Sequence, residues 1–102
     1  MNKQIMALVA ASVMFVSANA VAAGDAAAGK AKSATCSACH GATGTSAAPT
    51  FPNLKGQKEA YLVKQMRAFR DGTRKDPTMN AMAKPLSDAD TDNLAAYFGG
   101  MK

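Results

Sequence analysis

Apolar positions follow a helical period in three parts of this chain, separated by two stretches with no sustained period. From Gln57 to Asp71, Leu62, Met66 and Phe69 recur at i, i+4 and i+7 with Tyr61 beside them. Lys58, Lys64, Arg67 and Arg70 occupy the remaining positions, so the stretch predicts an amphipathic helix with its basic face turned away from the core. Asp71-Gly72 ends it, Gly72 being suited to the left-handed stop after a helix. The alanine-rich run from Asp25 predicts a helix capped by Asp25 and continuing into Cys36. Gly29 inside that run lowers helix stability, which implies that another helix crosses closely there, with Tyr97 or Phe98 as the side chain in contact. Near the C-terminus, Ser87 and Asp90 form a capping-box pattern, and Asp88, Asp90 and Asp92 favour the positive helix start. Leu94, Tyr97, Phe98 and the intervening alanines build an apolar face as far as Gly99-Gly100. The two stretches without period, 41–53 and 73–85, contain Pro49, Pro52, Pro77 and Pro85 and predict loops. No strand pattern stands out, so the expected class is all-α, with three main helices joined by loops.

The first residues follow a different pattern. Lys3 precedes an apolar run from Ile5 to Val16, and Ala18-Asn19-Ala20 and Val21-Ala22-Ala23 are both small-residue cleavage signatures. The run is shorter than the roughly 20 residues that span a bilayer, which predicts a cleavable export signal over residues 1–23. Cleavage after Ala23 is preferred to cleavage after Ala20 and leaves 79 of the 102 residues as one small domain, 24–102. A retained membrane anchor is the alternative. So small a domain buries little apolar surface unaided, which makes a centrally bound cofactor an expected part of its core.

The whole chain carries +5, and loss of Lys3 leaves +4. Lys55, Lys58, Lys64, Arg67, Arg70, Arg74, Lys75 and Lys84 are set against only Glu59, Asp71 and Asp76 between positions 55 and 84. Such a region either steers an acidic partner protein or is simply a solvated face. Nucleic acid is not an expected partner, because the stretch has no nucleic-acid-binding motif.

The distinctive chemistry lies in Cys36-Ser37-Ala38-Cys39-His40. These are the only cysteines and the only histidine in the chain. C-x-x-C-H is the attachment signature of c-type haem, with a thioether from each sulfur and an axial nitrogen from the histidine. Three other readings compete. A thioredoxin-like dithiol requires a βαβ pattern. Zinc requires a fourth ligand, here a carboxylate. A structural disulfide leaves His40 without a task. Haem attachment also agrees with export, since covalent maturation takes place outside the bacterial cytoplasm.

An iron-bound histidine donates its second ring N–H to a fixed acceptor. Pro52 is the first candidate for that carbonyl and Pro49 the second, and Leu54 is expected to pack on the haem face. The second axial ligand is sought among the methionines beyond the signal. Met66 belongs to a helix stripe and Met101 to the terminus, leaving Met79 and Met82 in the second loop. A thioether is a soft iron ligand, and spacing alone does not separate these two.

Further blocks extend the pattern beyond the haem motif: Phe51-Pro52-Asn53-Leu54-Lys55-Gly56-Gln57, Tyr61-Leu62, Gln65-Met66, Phe69-Arg70-Asp71-Gly72-Thr73-Arg74, Met79-Asn80-Ala81-Met82-Ala83, Leu86-Ser87-Asp88-Ala89-Asp90 and Leu94-Ala95-Ala96-Tyr97. With Cys36 to Gly41 they make the chain from Gly24 to Lys102 resemble the small class I c-type cytochromes, especially single-haem relatives of the cytochrome c-four and c-five groups. The resemblance implies helices and loops wrapped around one covalent haem c, attached through Cys36 and Cys39. It further implies axial ligation by His40 and by Met79, the first methionine of the M-x-x-M pair, with Met82 nearby but not bound; on spacing alone Met82 stays the alternative ligand. It places Pro52 as the acceptor of the histidine proton. Two-haem members repeat the unit that occurs once here, which leaves monomer and weak dimer both open.

The expected function is that of a periplasmic electron carrier and not an enzyme. The resemblance implies a quinol-oxidising complex or dehydrogenase as donor and a terminal oxidase or reductase as acceptor. Membrane contact is expected only through such partners unless the signal segment is retained. The alternative is a haem enzyme or gas sensor with an open distal iron site. It requires that neither Met79 nor Met82 binds, and no second histidine is available as a distal acid or base.

Overall fold

A computed structural model of the chain describes residues 24–102. The export signal expected over 1–23 lies outside the described residues. Five helices follow in order: α1 (Ala26–Lys32), α2 (Ala34–His40), α3 (Glu59–Asp71), α4 (Pro77–Ala83) and α5 (Asp88–Gly99). Among the described residues there is no strand, and no helix is long and apolar enough to cross a membrane.

The expected first helix is divided at Ser33, whose hydroxyl donates to Lys30 O at 2.8 Å. A side-chain hydroxyl that bonds its own preceding turn competes with the helical ladder, and α2 begins at the next residue. At the start of α1, Asp25 Oδ1 accepts from Ala27 and Ala28 N–H. The stretch 73–85 is not wholly a loop, as its prolines had suggested. Asp76 caps α4 by accepting from Met79 N at 3.0 Å, and Pro77 occupies the first helical turn, where its missing N–H costs nothing. The cue was an Asp-Pro helix start, which a breaker reading of proline overlooks.

Helix α5 is the centre of the packing, with α1 and α3 both laid against it and α4 laid against α3. Its buried face is Thr91, Leu94, Ala95, Ala96 and Phe98, and Leu62 of α3 completes the core. A Cβ on Gly29 would lie 2.0 Å from Asn93 O and 2.9 Å from Tyr97 Cβ. The α1–α5 crossing is therefore backbone on backbone, with Tyr97 and not Phe98 beside the glycine.

Helix α3 ends at Gly72 with φ 83°, a left-handed conformation that glycine adopts freely. Its outward face is partly engaged within the fold, which neither reading of the basic region had included. Arg67 Nε donates to Thr91 Oγ1 at 2.9 Å and its NH2 to Asp92 at 3.0 Å, while Arg70 NH1 donates to Asp88 at 2.8 Å. Period alone could not reveal these partners, because the acidic start of α5 reaches Arg67 and Arg70 only after the chain has turned back. The capping box of Ser87 and Asp90 is formed in both directions at 3.0 Å.

Candidate haem site

Helix α2 sets Cys36 and Cys39 three residues apart, about one turn, so both face the same side. Its last residue is His40, which is 7% exposed. Nδ1 of His40 lies 2.7 Å from Pro52 O. A carbonyl only accepts, so Nδ1 carries the proton and Nε2 holds the free lone pair.

The position of Pro52 is built by its loop. Gly44 O accepts from Leu54 N at 2.8 Å and Lys55 N at 3.0 Å, and Asn53 Oδ1 accepts from Ser46 N at 2.8 Å. Gly56 N donates to Phe98 O at 3.0 Å, which ties the same loop to α5. Sequence reasoning missed Ser46, Asn53 and Gly44, since loop-internal hydrogen bonds leave no periodic signal.

Cys36, Cys39, His40, Pro52 and Leu54 line a cavity of about 420 Å³ together with Met79 and Met82 of α4. Leu62, Met66, Phe69, Leu86, Leu94 and Phe98 supply apolar wall. Met79 is half-buried, whereas Met82 is 49% exposed. Among the described residues Arg74 is the one Lys or Arg on the lining; its guanidinium lies 4.5 Å from the centre of the Phe69 ring and donates to Gln65 Oε1 at 2.8 Å.

The other readings of the cysteines find less support. Burial pushes the Cys36 thiol above its ordinary value, against smaller opposing hydrogen bonds from Thr35 and its own backbone. A reactive redox thiol is held below that value. Among the described residues, no group of three or more His, Cys, Asp and Glu side chains gathers as a metal site, so no carboxylate completes a zinc set. No disulfide joins Cys36 to Cys39.

Haem fits this chamber. Its volume lies in the range of roughly 300–1,000 Å³ typical of small-molecule and cofactor sites. The wall is mainly apolar, two thiols stand on one helical face, and a buried imidazole keeps one nitrogen without a protein partner among the described residues.

A helical shell around such a chamber, with the C-x-x-C-H turn on its wall, has the class I cytochrome c fold. The chain belongs to the cytochrome c family, whose family model matches residues 26–102. Cytochrome c4 of Pseudomonas aeruginosa is 49% identical over 102 residues, covering 100% of this chain and 50% of that protein. Cytochrome c-554(548) of Halomonas halodenitrificans is 48% identical over 83 residues, which are 78% of this chain and 100% of that protein. The crystal structure of reduced recombinant cytochrome c4 from Pseudomonas stutzeri matches with a TM-score of 0.74 at 47% identity, over 78% of this chain and 47% of that one. The chain thus spans about half the length of these cytochrome c4 relatives and the full length of the Halomonas protein.

Proposed function

We propose that this chain is a periplasmic one-electron carrier, with one haem c held by Cys36 and Cys39 and ligated axially by His40 and Met79. The observation that carries the reading is the buried His40, oriented by Pro52 O at 2.7 Å, in a cavity that both thiols and Met79 also line. When bound, the haem supplies a one-electron change of charge at its iron. Cys36 and Cys39 anchor it covalently. The Pro52 carbonyl fixes the His40 tautomer and keeps Nε2 available as the ligand. Leu54, Leu62 and Phe98 exclude water, which strengthens the electrostatic control of the site. Met79 is preferred to the more exposed Met82 as the soft second ligand. With His40 and Met79 both bound to the iron no position would remain for a substrate, so the protein would carry electrons without catalysing a reaction.

The partners on this reading are a quinol-oxidising complex or dehydrogenase on one side and a terminal oxidase or reductase on the other, met by a single domain 24–102 freed of its leader. Structure refines the basic region: Arg67 and Arg70 are occupied by Asp88 and Asp92, while among the described residues no carboxylate pairs with Lys55, Lys58, Lys75 or Lys84. These lysines flank cavity-lining positions 54, 57, 74, 76 and 83 and suit an acidic docking face. Electron transfer to such a partner slows as ionic strength rises.

The test of the ligand set is spectroscopic. Oxidised holoprotein shows a methionine–iron charge-transfer band. Met79→Ala abolishes it and lowers the reduction potential, and Met82→Ala leaves both nearly unchanged. The reverse pattern moves the ligand to Met82. A high-spin spectrum in the parent protein defeats the carrier reading in favour of an open-site enzyme or sensor.

A further inference from the structure

The segment that brings Met79 to the cavity lies against α3 but buries little of its own side-chain surface. Of its seven residues only Ala83 is buried, and Thr78, Ala81 and Met82 are exposed. A seven-residue helix is not stable in isolation, so something else must hold α4 in place. The hydrogen bonds identify it. Asn80 Nδ2 donates to Phe69 O at 2.8 Å and to Arg74 O at 2.9 Å, and Asn80 Oδ1 accepts from Asp76 N at 2.9 Å. Both carbonyls can face only the NH2 group, so the orientation of the amide is set by its partners. Phe69 lies in the last turn of α3, whereas Arg74 and Asp76 lie just before α4. One side chain therefore joins three backbone points around the start of α4. It belongs to the residue directly after Met79.

We infer that Asn80 is the positioning residue for the Met79 thioether: it ties α4 to the end of α3 and keeps the sulfur in the haem chamber. The inference rests on Met79 being the axial ligand. Asn80→Asp keeps the size and the acceptor for Asp76 N–H, but turns a carboxylate toward two carbonyls. Asn80→Ala removes all three bonds. Losing the two donated bonds raises the ratio of methionine-free to methionine-bound iron by about tenfold or more.

Imidazole titration of the oxidised holoprotein, followed by loss of the charge-transfer band, reads that ratio. Imidazole occupies only iron whose second axial position is free, so its apparent affinity scales with the methionine-free fraction. Both Asn80 variants are expected to bind imidazole about tenfold more tightly than the parent. Asp25→Ala serves as the control for general destabilisation, since it removes the cap of α1. It is expected to lower the guanidinium midpoint and leave imidazole affinity unchanged. Parent-like affinity in the Asn80 variants, or an equal shift in Asp25→Ala, overturns the inference. If Asn80→Ala does not mature, the nearly isosteric Asn80→Asp decides the matter by the same reading. Should Met79→Ala retain the band, the ligand assignment fails and the inference with it. Should Met79→Ala lose the band while the Asn80 variants keep parental affinity, only the role of Asn80 fails.

Discussion

Gly29→Ala sets two effects of known size against each other. At an exposed helical position, replacing glycine by alanine raises helix propensity and stabilises by about 1 kcal/mol. At position 29 the new methyl would lie 2.0 Å from Asn93 O and 2.6 Å from Asn93 C, where ordinary contact begins near 3.4 Å. The obstacle is backbone, which no rotamer change can move. Relief requires α1 and α5 to separate by roughly 1 Å, and overpacking of this kind costs about 1–3 kcal/mol or more. Because the clash is with main-chain atoms, the upper part of that range applies, and about 2 kcal/mol of destabilisation remains after the propensity gain. For a domain of this size that lowers Tm by roughly 8–16 °C. Far-UV circular dichroism of the holoprotein during heating measures it directly. An unchanged or raised Tm would refute the close crossing and, with it, the account of how α1 is seated before the cysteines.

Other outcomes follow from the caps, the ion pairs and the chamber. Ser87→Ala removes one side of the capping box and is expected to cost about 1 kcal/mol, seen as a lower guanidinium midpoint with an unchanged visible spectrum. The Arg70 hydrogen bond, reinforced by the charge of Arg67, holds the Asp88 carboxyl below its ordinary value. A group depressed in the folded state contributes stability above its unfolded value and loses it as pH falls through the folded one. Midpoints measured against pH should therefore hold from neutrality to about pH 5 and decline below about pH 4, with a shallower decline in Asp88→Asn; an equal slope in both would exclude the pair as a source. Removing the haem opens the apolar chamber to water, so apoprotein should lose much of its helical circular dichroism. Full native helicity without haem would contradict a cofactor-centred core.

Local rules made some features of this protein visible in advance. The C-x-x-C-H spacing pointed to haem attachment because about one helical turn relates the three side chains, and the fold sets all three on the wall of one chamber. Periodicity located α3 and α5, the Ser87–Asp90 pair marked where α5 begins, and a glycine within α1 announced a crossing. These are short-range relations, determined by neighbours within a few residues. Long-range encounters left no such trace. That Tyr97 meets Gly29, that Arg67 and Arg70 reach across to the start of α5, and that Asn80 joins the end of α3 to α4 depended on the chain folding back on itself. Helix α4 itself was obscured by the prolines at its borders, although Asp76-Pro77 is a competent helix start. Two methionines three residues apart in one segment are nearly equivalent in sequence. In the fold their burial differs, because α4 is tied against α3 and the chamber wall in only one orientation.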